Sequence, residues 1–124
     1  MSQRHIATIR VTGRPATFAT AGEAPWKEAV RQGVAEAGCQ PLNARFAVRI
    51  EFRLGPSRTA GEVWDLDNLI KPTLDAMEGV FGLRPWRGTP QPADDRVDRL
   101  HAIRACYERR LSQWSMLAMW TVAA

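Results

Sequence analysis

Cysteine and lysine are scarce in this chain, and each scarcity narrows the possible functions. The two cysteines, Cys39 and Cys106, are far apart in the sequence, which excludes the C-x-x-C motifs of common zinc and dithiol redox sites. We therefore expect two free thiols in a reducing compartment. Only two of the 17 basic residues are lysines, so arginine supplies almost all of the positive charge.

Long apolar runs are also missing. No stretch approaches the roughly 20 apolar residues that a membrane-spanning helix needs, and no secretory signal opens the chain. The small, polar segment Thr17–Gly22 contains no phosphate-binding glycine motif. These absences predict a cytoplasmic protein that makes no membrane contact.

The composition that remains is that of one globular domain. The 124 residues are 45 % apolar and 24 % charged, which suits a single core, and we predict one domain over residues 1–124. The formal net charge of +4 favours a polyanionic partner such as DNA. The alternative is a soluble surface that is simply rich in arginine.

Hydrophobic periodicity predicts an α+β fold, in which helices cover a mixed β-sheet in a single two-layer domain with two main helices. The predicted elements, in chain order, are a strand at His5–Val11, a helix that starts at Pro25 and stops at Gly38, a strand at Phe46–Leu54, a helix that starts near Asn68–Lys71, a loop at Phe81–Ala93, a strand at Val97–Tyr107 with a bulge near Arg99, and a last element at Ser115–Val122.

Two carboxylates open the second predicted helix. Asp65 and Asp67 are two residues apart, so in an extended segment both would point to one side, with Cα atoms about 6.5–7 Å apart. That spacing suits one hard cation such as Mg²⁺, which takes oxygen ligands and keeps several waters. Lys71 follows one helical turn later and adds a cation. The alternative is a helix cap formed by Asp67 or Asn68 among solvated surface acids.

A second acidic pair, Asp94-Asp95, comes directly before the predicted strand at Val97. Three or four carboxylates with one lysine are the components of a magnesium-dependent phosphoryl-transfer site. If the neighbouring strands pair, this acidic pair would be able to face the first one.

The two segments together resemble the RusA family of Holliday-junction resolvases. The family pattern is D-x-D-N-L-x-K, followed by D-A-L and then by D-D-x-Q-V before a strand. This chain is similar to it from Asp65 to Lys71, at Asp75-Ala76-Met77 and at Asp94-Asp95, where Arg96-Val97 follows directly in place of the family's glutamine. The resemblance implies a homodimeric endonuclease that depends on Mg²⁺, with Mn²⁺ as the alternative ion, and that nicks four-way DNA junctions in recombination and repair.

The resemblance also implies roles for individual residues. Asp65, Asp67 and Asp95 would hold the metal, Asp94 would be a neighbouring acid or a further ligand, and Lys71 would be the essential basic residue. It further implies that Ser115–Val122 is a closing strand, whereas its periodicity fits a strand or a short helix equally well. The apolar segment Trp114–Val122 is one candidate for the dimer contact.

Six arginines are the predicted contacts to DNA phosphates: Arg49, Arg53, Arg58, Arg84, Arg87 and Arg96. Each arginine offers a fork of donors that suits phosphate oxygens. Arg49 and Arg53 would share the polar face of a strand, which could equally be an ordinary solvated face. Trp86 lies between two arginines; one alternative is that it inserts at a DNA branch, and the prediction we adopt is that it anchors the loop to the core.

Two further classes of function stay open on the sequence. One is a non-catalytic DNA-binding module with a decayed active site. The other is a magnesium-dependent hydrolase that acts on nucleotides or on other DNA structures, such as flaps. The second is kept open by the segment between Val80 and Ala93, which is longer than the family usually has there.

Overall fold

The computed structural model describes residues 4–17, 19–54, 65–106 and 115–122; Arg58, Tyr107 and Trp114, which the sequence predictions include, lie outside them. The elements within these ranges are, in chain order, β1 (Arg4–Thr12), α1 (Glu23–Glu36), β2 (Phe46–Leu54), α2 (Leu66–Asp75), α3 (Glu78–Phe81), β3 (Leu83–Trp86), β4 (Thr89–Pro92), a 3₁₀ turn (Asp94–Arg96), β5 (Val97–Cys106) and β6 (Ser115–Val122).

The sheet is mixed and has the order β1-β6-β2-β5. β1 and β2 pair antiparallel with β6 on its two sides, and β5 pairs parallel with β2. The prediction of a strand at Ser115–Val122 is therefore confirmed. A helix there would have left the facing backbone groups of both β1 and β2 without partners. Because β6 is paired on both sides, neither of its edges is open to a second copy of the chain.

The core lies between one face of the sheet and the helices. β2 coincides with the predicted strand, and its alternate side chains from Phe46 to Leu54 are buried while those between them are half-buried or exposed. This alternation is typical of a strand with one covered face. The largest fully buried side chains come from both layers: Trp26, Phe46, Phe52, Phe81, Ile9, Ile50, Leu54, Leu69, Met77 and Val30.

α1 buries Trp26, Val30 and Val34, which are spaced at the helical period and form one face. Gly38 has a φ of +71° just beyond its end, which confirms the predicted glycine stop. The helix begins at Glu23, two residues before the predicted start, so Pro25 is its third residue rather than its first. The first turn tolerates proline at this position because the first four amides of a helix have no carbonyl partner within it.

The second helical region differs from the prediction in two ways. α2 begins at Leu66, before the predicted start, and its N-cap is Asp65 rather than Asp67 or Asn68. Pro72 therefore lies inside the helix, where its missing N–H withdraws one hydrogen bond, that to the Asn68 carbonyl. The helix ends three residues later, and α3 is a separate short segment.

The predicted loop at Phe81–Ala93 is wrong, because β3 and β4 form an antiparallel hairpin there. Arg87 and Gly88 have φ values of +50° and +81°, and two central residues with positive φ suit a tight two-residue hairpin turn. Trp86 pairs with Thr89 across this turn, and Pro85 pairs with Pro90. Since hydrogen-bonded and non-bonded pairs alternate along an antiparallel ladder, the prolines occupy pairs that need no N–H donor.

β5 carries the predicted irregularity one residue earlier than expected. Phe46 pairs with Val97 and Ala47 with Arg99, so Asp98 is the extra residue of a bulge. Arg45, directly before β2, donates a hydrogen bond from its guanidinium to this carboxylate. The bulge therefore places an acid where it can pair with the neighbouring strand's basic residue.

The predicted class is confirmed at the level of a small α+β domain with a mixed sheet, and the described residues form two main helices, α1 and α2, together with the four-residue α3. Among the described residues, no helix is both long enough and apolar enough to span a membrane.

Candidate functional site

The first turn of α2 carries two exposed carboxylates. Asp65 has an extended backbone, with φ −66° and ψ 126°, and its carbonyl accepts a hydrogen bond from the Leu69 amide at 3.0 Å. Its carboxylate makes no capping hydrogen bond to the helix. Asp65 is therefore the N-cap residue by its backbone conformation, but its side chain does not cap the helix.

Asp67 is the second residue of α2, so the predicted extended geometry of the pair is wrong. In an extended strand, the side chains of Asp65 and Asp67 would point in the same direction. Because Asp67 has helical backbone, its side chain points away from that direction. Both carboxylates remain exposed at the helix end where the dipole favours negative charge.

Lys71 lies one turn beyond Asp67, and its Nζ is 3.3 Å from the Asp75 Oδ2. Lys71 and Asp75 therefore share one face of α2. Both side chains keep contact with solvent, with exposed fractions of 56 % and 23 %, so the contact is of the weak, exposed type.

The opposite side of α2 is fixed to the core by a buried polar contact. The Trp26 Nε1 donates to the Thr73 hydroxyl at 3.0 Å, and that hydroxyl donates to the Leu69 carbonyl at 2.8 Å. Thr73 and Leu69 have no exposed surface, and Trp26 is 1 % exposed. This contact joins α2 to α1 and so sets the orientation of the acidic first turn.

The second acidic pair lies in the 3₁₀ turn before β5. Asp94 is half-buried and Asp95 is exposed. The Arg84 Nε lies 3.0 Å from the Asp95 Oδ1, but its N–H makes no hydrogen bond, so this contact is electrostatic. Arg45 donates to the Asp95 carbonyl at 3.0 Å, which holds the turn against the start of β2.

Arg45 and Asp98 were not among the predicted site residues, although they position this turn. Their hydrogen bond holds the pKa of the Asp98 carboxyl below its ordinary value and raises the pKa of the Arg45 guanidinium. The sequence signal was weak, because 53 residues separate the two and only the parallel register brings them together.

The helices α2 and α3 run in the same direction as α1. Thr73 contacts Trp26 near the start of α1, whereas a Cβ added at Gly79 would lie 2.6 Å from the Val34 Cγ1 near its end. The ring of Phe81, at the end of α3, packs edge-on against Phe46 with centroids 5.5 Å apart. The end of α3 therefore lies over the start of β2.

The second acidic pair meets α3 at that same end of the sheet. The Ala93 amide donates to the Gly82 carbonyl at 3.0 Å, and Val97 pairs with Phe46. The first turn of α2 lies at the other end of the helix, since its ten residues span about 15 Å. The structure does not bring the two acidic pairs together.

No group of three or more acidic, histidine or cysteine side chains suited to a metal ion occurs in the part of the chain that the structure describes. The carboxylate oxygens have the hard character that Mg²⁺ prefers. The arrangement nevertheless offers two acids at each end rather than the three that the resemblance implies. It does not fit a complete magnesium site within one chain, and no catalytic step through the ion follows from it.

Two of the predicted DNA contacts lie on the uncovered face of the sheet. Arg49 is exposed, and Arg53 is 30 % exposed with its Nε 3.4 Å from the Glu51 Oε1. The sequence did not single out Arg10, which is exposed between the buried Ile9 and Val11; the alternation of β1 was the signal that could have found it.

The remaining predicted arginines differ in their freedom to bind a ligand. Arg96 donates to the Phe81 carbonyl, which ties it to the fold, and Arg58 lies outside the described residues. The Cζ atoms of Arg84 and Arg87 both lie 5.5 Å from the centroid of the Trp86 ring. Trp86 is 53 % exposed, so the prediction that it anchors a loop to the core is wrong.

Comparison with known proteins adds no relative: no family model matches this chain, and no curated protein matches it. The likeness to the RusA family thus depends on the motif residues themselves, above all on Asp65, Asp67, Lys71 and Asp95.

Proposed function

We propose that the chain is a magnesium-dependent, structure-specific endodeoxyribonuclease of the RusA type, which binds four-way DNA junctions and resolves them by paired nicks. The observation that carries the proposal is the first turn of α2. There, Asp65 and Asp67 are both exposed, the Asp65 carboxylate does not serve as a helix cap, and Lys71 follows one turn later. The helix dipole favours acids at this end, but the Asp65 carboxylate makes no capping hydrogen bond and so is available to bind a ligand.

The charge of the chain supports a DNA substrate. The net charge is +4, and exposed arginines lie on the uncovered sheet face and on the hairpin. Phosphate contacts of this kind supply most non-specific affinity for DNA, which falls steeply with salt. A four-way junction is close to two-fold symmetric, so paired nicks require two active sites with the same symmetry, as in a C2 homodimer.

A non-catalytic DNA-binding module is the second candidate, because one observation favours it. The two acidic pairs lie at different ends of the helical layer, and Arg84 already neutralises Asp95 at 3.0 Å. If Asp95 bound a metal ion, its carboxylate would have to give up this contact with the Arg84 guanidinium. A protein that kept the fold while losing the nuclease activity would need no such exchange.

Cleavage of a labelled synthetic four-way junction tests the proposal. We expect wild-type protein with Mg²⁺ to give symmetric nicks, and Asp67→Asn and Asp95→Asn to abolish them. Glu36→Gln removes one exposed carboxylate at the end of α1 and is the matched control, which should cleave normally. Flap and linear duplex substrates of the same sequence separate a resolvase from a nuclease of other specificity.

Each outcome decides between the candidates. Salt-sensitive junction binding without any cleavage by the wild type would favour the DNA-binding module. Loss of cleavage with Asp67→Asn but normal cleavage with Asp95→Asn would confine the active site to the first turn of α2. Equal cleavage of junction and linear duplex would refute structure specificity.

A further inference from the structure

The hairpin Leu83–Pro92 presents an unusual amount of apolar surface to solvent. Leu83 and Trp86 are each 53 % exposed and are two of the three large apolar side chains with such exposure among the described residues. Every residue from Pro85 to Pro90 is exposed. A tryptophan in this position contributes little to the core, so we infer that it contacts another molecule.

Two guanidinium groups flank the Trp86 ring. The Cζ atoms of Arg84 and Arg87 are both 5.5 Å from its centroid, within the range of cation–π attraction. The hairpin contains no aspartate or glutamate. The hairpin thus combines an aromatic surface with positive charge, and it has no acidic side chain of its own that would repel a polyanion.

The backbone holds this group of side chains in place. A two-residue turn closes the hairpin, and Pro85 opposite Pro90 reduces the conformational freedom of both strands. At its base, the Ala93 amide donates to the Gly82 carbonyl at 3.0 Å. A ligand that stacks on Trp86 therefore meets a preorganised surface and orders little of the protein when it binds.

We propose that the hairpin binds an unstacked base of branched DNA, with Trp86 stacked on the base and Arg84 and Arg87 on the flanking phosphates. The inference rests on the proposed DNA substrate and specifies what part of it the hairpin recognises. Bases of a continuous duplex are covered by their neighbours, whereas bases at a branch point or in a single strand offer a free face. Aromatic stacking on such a face is tolerant of sequence.

The two arginines should contribute unequally. The Arg84 Nε is 3.0 Å from the Asp95 carboxylate, so part of its charge is neutralised within the protein. Arg87 is exposed, and its position in the turn leaves it free to follow a phosphate. We therefore expect Arg87 to account for more of the salt dependence of binding.

Binding without cleavage tests the inference. In EDTA, fluorescence anisotropy would compare a four-way junction with a linear duplex of the same length, and 2-aminopurine at the branch point would report stacking directly. We expect Trp86→Ala to weaken junction binding by about 5- to 140-fold, which corresponds to one lost base–aromatic stack. Trp86→Phe should retain most of the affinity, and binding to the linear duplex should change little.

Two further variants complete the design. Leu83→Ala removes an equally exposed apolar side chain from the same hairpin and is expected to bind as the wild type does. Arg87→Asn removes the charge while creating the Asn-Gly sequence that two-residue turns prefer, so the hairpin should keep its form. This variant should reduce the slope of log affinity against log salt by about one.

The result that would overturn the inference is unchanged junction affinity in Trp86→Ala, or an equal loss on junction and linear duplex. A change in self-association, measured by sedimentation, together with unchanged DNA binding would instead make the hairpin a contact between copies of the chain. Far-UV circular dichroism checks that each variant is folded.

The cleavage assay separates this inference from the proposed nuclease. If the wild type never cleaves but Trp86→Ala loses junction binding, the hairpin inference stands and the nuclease proposal fails. If the wild type cleaves and Trp86→Ala binds the junction normally, the nuclease proposal stands and the hairpin inference fails.

Discussion

The buried contact between Trp26 and Thr73 allows a quantitative test of how α2 is held. Thr73→Val keeps the shape of the side chain but removes its hydroxyl, which accepts the Trp26 Nε1–H at 3.0 Å. Neither residue has more than 1 % exposed surface, so water cannot replace the lost acceptor. The hydroxyl also donates to the Leu69 carbonyl, one turn earlier in the helix. After the substitution, this carbonyl still accepts the ordinary helical hydrogen bond from the backbone amide of residue 73.

The expected cost follows from the unpaired indole N–H. A buried donor without a partner costs about 1–3 kcal/mol, and the similar helix propensities of threonine and valine add little. We therefore expect Thr73→Val to lower the free energy of unfolding by about 2 kcal/mol. In a Trp26→Phe background, both polar partners are absent, so the same change should cost less than about 0.5 kcal/mol.

Urea denaturation followed by far-UV circular dichroism measures both values and their difference. Thr12→Val, on the exposed side of β1, is the matched control and should change stability little. An equal cost of Thr73→Val in the presence and absence of the Trp26 indole would refute the reasoning, because the hydrogen bond would then not be the source of the loss. So would a Thr73→Val protein as stable as the wild type.

Three further predictions concern the packing of α3, the turn before β5 and the hairpin. Gly79→Ala should cost about 1–3 kcal/mol in the same assay, because its Cβ would lie 2.6 Å from the Val34 Cγ1; the cost should fall when Val34 is alanine. Arg45→Ala should destabilise the protein at neutral pH, because Arg45 lowers the folded-state pKa of Asp98 and so stabilises its ionised form. The difference in stability from the wild type should shrink as the pH falls below about 4, because the ion pair is lost once the Asp98 carboxyl is protonated. A pH-independent difference in a urea titration series would contradict this. Gly88→Ala should speed hydrogen exchange of the hairpin amides, since a φ of +81° strains any residue with a Cβ.

The elements that the sequence predicted best are those in which one periodicity dominates. In β2, every second residue from Phe46 to Leu54 is apolar, and the whole predicted strand is observed. In α1, the spacing of Trp26, Val30 and Val34 has the helical period, and Gly38 supplies the stop. A single buried face determines such elements, so no knowledge of their neighbours is needed.

The hairpin was missed because its prolines were read as signs of a loop. Whether proline breaks a strand depends on the pair it occupies, and Pro85 and Pro90 face each other in a pair that needs no donor. That pairing depends on the position of the turn at Arg87-Gly88. The two strands can be recognised in the sequence only after the turn has been placed at Arg87-Gly88.

The two acidic pairs illustrate a different limit. The acids at Asp65-Asp67 and at Asp94-Asp95 were predicted to lie at the borders of regular elements, and the structure places them there. Their relative position was not, because it depends on the direction of α2 and α3 across the sheet. Long-range contacts such as that of Phe81 with Phe46 set this direction, and local spacing contains no information about them. The convergence of the acids on one metal stays a prediction of the RusA resemblance.

The central position of β6 has a consequence for how the protein is made. β6 is the last strand along the chain, yet both β1 and β2 bond to it, so Arg4 pairs with Val122. While a ribosome is still synthesising the preceding segments, β1 has no partner strand and β2 has only β5, so the edges of both strands that face β6 stay unpaired. Contacts so distant in sequence fold slowly and expose aggregation-prone strands in the meantime. The four-stranded sheet can therefore close only after residues 115–122 have been synthesised.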